Sequence, residues 1–141
     1  MIDMLSSLEP RREAANVVIY DELDEVNEVI FINQGTYEIG FEMNRIQNFV
    51  LRYKDSNVIG AYGVTFNKRT LFLYKTVTTC QGFFIRRNAW RNLINEHVEI
   101  SNHLKESVKK EYEISIMNTV MTEKKAVIAR WKKRSDYSAS L

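Results

Sequence analysis

The stretch Thr36–Lys54, TYEIGFEMNRIQNFVLRYK, decides how the rest of the chain is read. In its first eight residues Tyr37, Ile39, Phe41 and Met43 alternate with Thr36, Glu38, Gly40 and Glu42. A period of two is the signature of a strand with one face buried. The segment NRIQ, 44–47, reads as a hairpin turn, and alternation resumes beyond it. Phe49, Leu51 and Tyr53 point one way; Val50, Arg52 and Lys54 point the other. Outward from this hairpin the chain keeps to short β-like runs: NVVIY (16–20), EVIFI (28–32), LFLYKTV (71–77) and CQGFFI (80–85), with NQG (33–35) as a break. Strands so short and so closely spaced predict a β-sandwich or β-roll, not alternating βαβ units. Phe31, Tyr37, Phe41, Phe49, Phe83 and Phe84 are expected to fill its core.

From about Asn88 the period becomes helical. Trp90, Leu93, Ile94, His97 and Val98 recur at three- and four-residue steps, and Leu104, Val108 and Tyr112 continue at steps of four. The pattern predicts a helix over 88–95, a longer one over 98–117 and a basic one over 119–134, with Asn95, Ser101 and Asn118 as possible breaks. Trp90 is expected to dock the first of these on the roll. Residues 135–141 read as a frayed tail, and Met1–Glu9 as a short helix ended by Pro10, the sole proline. The expected division is a helix remnant over 1–10, the roll with its first following helix over 11–95, a second helix over 96–118, and a basic helix with tail over 119–141.

At 141 residues and 45% hydrophobic content, the chain suits one domain with a real core. No apolar run approaches the roughly 18 residues that span a bilayer. The opening MIDMLSSLEP lacks the basic flank and apolar stretch of a secretory signal. A single cysteine, Cys80, excludes an internal disulfide and suits a small buried residue. The net charge of +2 argues against general nucleic-acid binding, although the C-terminal EKKAVIARWKKR (123–134) is strongly basic. Catalytic signatures are missing. His97 and His103 have no partners at metal-ligand spacing, and no nucleophile elbow or Walker-type loop occurs. Glu22 and Asp24 read as a solvated turn. No enzyme activity, metal or obligatory cofactor is expected.

One stretch does suggest a ligand. SNVIGAYGVTFNKRT, 56–70, places Gly60 and Gly63 at a tight turn entering a short helix, followed by Arg69 and Thr70. A glycine turn leading into a helix N-terminus can converge backbone N–H groups on a phosphate. An arginine can neutralise the phosphate through paired hydrogen bonds, with the Thr70 hydroxyl as an extra donor. Arg69 also reads as a solvated loop cation beside Lys68, and both readings stand at this level.

The order of these pieces resembles the cyclic-nucleotide-binding domains. VVIYDELDEVNEVIFINQGTYEI (17–39) is similar to that family's opening β-roll, with Val18, Ile19, Asp24, Val29, Phe31, Ile32, Gly35 and Ile39 on its pattern and Leu23 where glycine is usual. IGAYGV (59–64) and RTL (69–71) fall where the family keeps its phosphate-binding cassette, and CQGFFIRRNAW (80–90) resembles its last strand and following helix. The resemblance covers about residues 5–108. It implies an antiparallel β-roll of about eight strands, a short cassette helix, and two to three C-terminal helices. Gly35 would be a turn glycine at positive φ. Ligand residues would be Gly60, Ala61, Gly63, Arg69 and Thr70, with Leu104 and Val108 on a lid helix over the base; ordinary helix packing is the other reading of those two. Ala61 stands where the family's ribose-binding glutamate belongs. Aligning on Cys80 instead puts Thr70, not Arg69, at the family arginine. The resemblance therefore implies a degenerate cassette with weak or absent binding of cAMP or cGMP.

Too few residues follow the roll for a helix-turn-helix unit, and only one nucleotide domain is present, which favours the ion-channel branch, ether-à-go-go-like included. The opening helix-like residues read as a cut through a longer chain. The expected setting is the cytoplasmic side of a membrane, within a potassium or other cation channel whose neighbouring subunits form a homotetramer. Lys124, Lys125, Arg130, Lys132, Lys133 and Arg134 could meet anionic lipid, or form a solvated helix face. The alternative is a stand-alone cytoplasmic scaffold that binds a protein, lipid or nucleic-acid backbone through this helix.

Overall fold

A computed structural model of the chain describes residues 4–140, with side chains described from 6 to 134. Its elements run α1 (Met4–Ser7), β1 (Glu9–Glu13), β2 (Val18–Tyr20), β3 (Glu28–Gln34), β4 (Thr36–Met43), β5 (Ile46–Lys54), β6 (Asn57–Ile59), α2 (Ala61–Phe66), β7 (Leu73–Thr76), β8 (Cys80–Arg86), α3 (Arg87–Glu96) and α4 (Val98–Glu111). A π-helical turn, Tyr112–Met117, then leads into α5 (Asn118–Ser140). The strands form two four-stranded sheets, ordered β1-β8-β3-β6 and β2-β7-β4-β5. Every strand pair is antiparallel. This is the mainly β architecture with terminal helices that the alternation predicts.

The β4–β5 hairpin shows how residue type sets geometry. Its turn is two residues, Asn44 and Arg45, both at positive φ (52° and 64°), so Ile46 and Gln47 already belong to β5. Paired positive φ values match the right-handed twist of the flanking strands. At the other end of β4, Gly35 sits at φ 122°. A Cβ there would lie 2.7 Å from the Cys80 backbone, so the position needs glycine for space as well as for angle. The Gly35 amide donates to the Asp55 carboxylate at 2.8 Å, and the Asp55 amide returns a bond to the Gly35 carbonyl at 2.9 Å.

Tyr37, Ile39 and Phe41 are buried, as their alternation predicts. The expected partner face of β5 needs correction. Ile39 pairs with Leu51 but Gly40 pairs with Phe49, so Val50 is an extra residue in a bulge. One extra residue turns everything beyond it to the opposite face. Phe49 consequently leaves the core side and lies under Lys75, whose Nζ is 6.0 Å from the ring, while Val50 packs on the core. Phe83 is also outside the core, at 44% exposure.

The expected opening helix is present at Met4–Ser7 but is shorter than expected, and its residues 1–3 lie outside the described residues; Glu9 and Pro10 belong instead to β1, where Pro10 faces Phe83. An edge strand tolerates a proline because its outward N–H has no ladder partner to lose. β1 escapes a hydrophobic-pattern search because ion pairs line it: Arg11 with Glu13 and Glu28, and Glu9 with Arg86.

The core joins both sheets to the helices. Ile30, Ile39, Phe41, Ile59, Val64, Phe72 and Ile85 are nearly solvent-free, and Trp90, Ile94, Val120 and Val127 bring α3 and α5 onto them. Trp90 donates from its indole N–H to the Thr65 hydroxyl at 2.9 Å, which ties α3 to α2. α3 ends at Glu96 and α4 begins at Val98, close to the expected bounds, and His97 and Val98 at this junction are exposed. One helical expectation fails. Asn118 does not break the chain: it keeps right-handed helical angles (φ −62°, ψ −42°), so the second and third helices run on through the π-helical turn. The backbone of 135–140, expected to fray, continues α5.

Candidate ligand cleft

A cleft of about 180 Å³ lies between the 56–63 segment, the 69–70 segment and the last turns of α4. Gly60 begins it. Its φ of 89° places it in the left-handed region at the N-cap of α2, and its carbonyl accepts the Val64 amide at 3.0 Å. A Cβ on Gly60 would meet the Glu28 carbonyl oxygen at 2.7 Å, so only glycine allows β6 to turn directly into α2. Gly63 is buried against Val26. The first turn of any helix leaves amides without intrahelical acceptors, and here that turn borders the cleft. Asn67, at φ 53°, ends α2 and releases the chain toward Arg69.

Arg69 lines the cleft, but its guanidinium is engaged elsewhere. It donates to the Leu23 carbonyl at 3.0 Å and to the Glu25 carboxylate at 3.1 Å, with both charged side chains 60% exposed. Thr70 also lines the cleft and is buried. Its hydroxyl donates to the Phe72 carbonyl at 2.9 Å, and its backbone exchanges bonds with Leu23 and Asp24. Segment 69–70 is thus latched to the 23–25 loop. The extra donor expected of Thr70 is already spent inside the fold.

Gly60, Ala61, Gly63, Arg69, Thr70 and Val108 all border one cleft, and Leu104 does not. Leu104 sits one helical turn earlier and packs on the core as a half-buried residue. Glu111, Tyr112 and Ile116 follow Val108 on the helical wall. Tyr112 dominates that wall. Its ring stacks on Tyr62 of α2 with centroids 4.0 Å apart and planes 8° from parallel, and Phe72 lies 6.4 Å away. Burial pushes the Tyr112 hydroxyl pKa up to about 12, with Tyr62 adding to the effect. The floor is aromatic too: Tyr20 and Tyr74 meet edge to face at 6.4 Å, and Tyr20 donates to the Glu28 carbonyl at 2.9 Å. Burial raises the Tyr20 pKa to about 12 and pushes that of Tyr74 well above its ordinary value.

The steps of four through Leu104, Val108 and Tyr112 put Tyr112 on the inward helix face, so the sequence held a signal for it. Nothing of the kind marked Tyr62, which follows Ala61 in the cassette and gains its role from a residue fifty positions away. Tyr112 also opens the π-helical turn, whose wider backbone resets the inward face of the helix beyond it. Among the described residues no group of His, Cys, Asp or Glu is placed to hold a metal ion, and no helix is long and apolar enough to cross a membrane.

No family model and no curated protein matches this sequence. Solved structures do. The C-linker/CNBHD of zELK channels, crystallized in the presence of cAMP, superposes with a TM-score of 0.63 at 14% identity, covering 74% of this chain and 52% of that one. The EAL enzyme Bd1971 gives 0.61 at 10% identity over 73% of this chain and 97% of its own. The regulatory domain of Toxoplasma gondii PKA with cAMP gives 0.57 at 12% identity, over 61% of this chain. This chain spans only 33% of that regulatory chain. At such identities the likeness speaks for architecture: the chain has the fold of the cyclic-nucleotide-binding domains.

Proposed function

We propose that this chain is a regulatory domain of cyclic-nucleotide-binding type whose cleft is held shut by its own Tyr112, so that cAMP or cGMP binds weakly or not at all. The observation that carries the reading is the Tyr62–Tyr112 stack at 4.0 Å. A nucleobase seeking that aromatic surface must first displace Tyr112. The polar side of the cleft adds to this. Ala61 supplies no acceptor for a ribose hydroxyl, and Arg69 must leave Glu25 before it can meet a phosphate. One missing charge-assisted hydrogen bond costs about 1.5–3 kcal/mol, roughly 10- to 150-fold in affinity.

The domain works within a longer ion-channel chain on the cytoplasmic side of a membrane, with the helix beyond α3 answering to neighbouring subunits of a homotetramer. The likeness to the zELK channel fragment supports this setting. A role by binding, without chemistry of its own, accords with a cleft built of glycines and tyrosines.

Calorimetry with cAMP and cGMP up to millimolar concentration tests the reading on the unmodified chain, Ala61→Glu and Tyr112→Ala. The expected result is no micromolar binding by the unmodified chain and tighter binding when both substitutions are combined. Micromolar binding by the unmodified chain, abolished in Arg69→Ala, would overturn it.

A further inference from the structure

The proposed closing of the cleft leaves the far end of α5 unexplained. α5 docks on the roll through Val120 and Val127, with the Lys124 ammonium 5.9 Å from the Phe41 ring. Beyond that anchorage Ile128 and Trp131 are each 41% exposed. From Lys124 to Arg134 the helix carries six cations and no acid. Arg130 is paired with Glu123, whereas Lys125, Lys132, Lys133 and Arg134 are exposed. On a helix, Lys125, Ile128, Trp131 and Lys132 fall at three- and four-residue steps, so the two apolar side chains and these two exposed lysines share one face.

We infer that this face lies on an anionic lipid surface. Ile128 and the Trp131 indole enter the headgroup layer, the usual station of an amphipathic aromatic ring, while the lysine stems reach up to place their charges on the headgroups. Charge selects the occupant. A second copy of the same helix would bring like charges together, and a phosphate backbone has no use for the exposed isoleucine. Lipid supplies both partners at once: negative charge at the surface and apolar depth beneath it. The inference is independent of what the cleft binds.

The test is cosedimentation of the full chain with phosphatidylcholine vesicles, with and without phosphatidylserine, alongside single-stranded RNA at the same salt concentration. The expected result is binding that requires phosphatidylserine and weakens as salt rises. The double variant Lys125→Ala, Lys132→Ala should bind about 30-fold more weakly, at the usual contribution of a surface lysine. Tryptophan emission should shift to the blue on adding anionic vesicles, and Trp131→Phe should abolish the shift, because Trp90 is buried throughout. Circular dichroism of each variant checks that the fold persists. Equal binding to neutral vesicles, an unaltered affinity in the double variant, or capture of RNA without vesicles would overturn the inference.

Discussion

Two stacked tyrosine pairs divide this molecule. Tyr37 and Tyr53 face each other across β4 and β5, with centroids 5.6 Å apart and planes at 30°. Tyr62 and Tyr112 lie closer and flatter, at 4.0 Å and 8°, yet they join the cassette helix to the end of α4. The first pair is neighbourly by construction, because the hairpin register puts the two rings on one face. The second has no backbone ladder beneath it and persists only while the helix stays docked. Tight stacking is thus a poor guide to mechanical importance. The looser pair belongs to the strand framework, whereas the tighter pair joins two segments that share no strand ladder.

The strongest challenge to this contrast is alkaline pH. The folded state raises the pKa of Tyr20 and Tyr112 to about 12 from an ordinary 10, and that of Tyr37 higher, chiefly by burial. A raised folded-state pKa means that the folded form holds its proton more tightly. The associated stability is therefore complete below pH 10 and lost as pH rises through the folded values. Complete unfolding is expected above them, with Tyr112 ionising before Tyr37. Tyrosinate absorbance from Tyr20 and Tyr112 should rise before the strand signal is lost in circular dichroism. A single coincident transition would erase the distinction between the two pairs.

Truncation comes next in size. Tyr37→Ala removes a ring that is 2% exposed and should destabilise by about 3–5 kcal/mol in urea denaturation. Gly35→Ala, at the foot of the same hairpin, should cost about 1–3 kcal/mol, since a Cβ there must push the Cys80 backbone while holding φ 122°. For the cleft pair, a double-mutant cycle on Tyr62→Ala and Tyr112→Ala should give a coupling of about 0.5–1.5 kcal/mol. A coupling as large as the Tyr37→Ala loss would place this pair in the framework too. Smallest of all, Arg69→Ala should change stability by less than about 0.5 kcal/mol, because its ion pair with Glu25 is open to solvent. A larger loss would mean that the latch between 69–70 and 23–25 depends on that side chain rather than on the Thr70 backbone.

The amino-acid sequence by itself determined the β-roll, the buried face of β4, the turn glycine at 35, the cassette helix with Gly60 and Gly63, and the docking role of Trp90. These are local properties. Alternation, a demand for positive φ and a tight entry into a helix are set by residues near one another in the chain. The sequence also held Val108 and Tyr112 on one helical stripe. It could not reveal the bulge that turns Phe49 outward, since the extra residue is extra only relative to the opposite strand. Nor could it mark β1, which is held by its backbone ladder with β8 and is lined by ion pairs with β3 and β8 rather than by an apolar pattern. Continuity through Asn118 was hidden as well, because tertiary docking of Val120 and Val127 outweighs a weak local preference for a break. The cleft divides in the same way. Its glycines are legible in the sequence, whereas the ring that walls it and the carboxylate that holds Arg69 are decided by tertiary structure, because each is a contact between segments that only folding brings together.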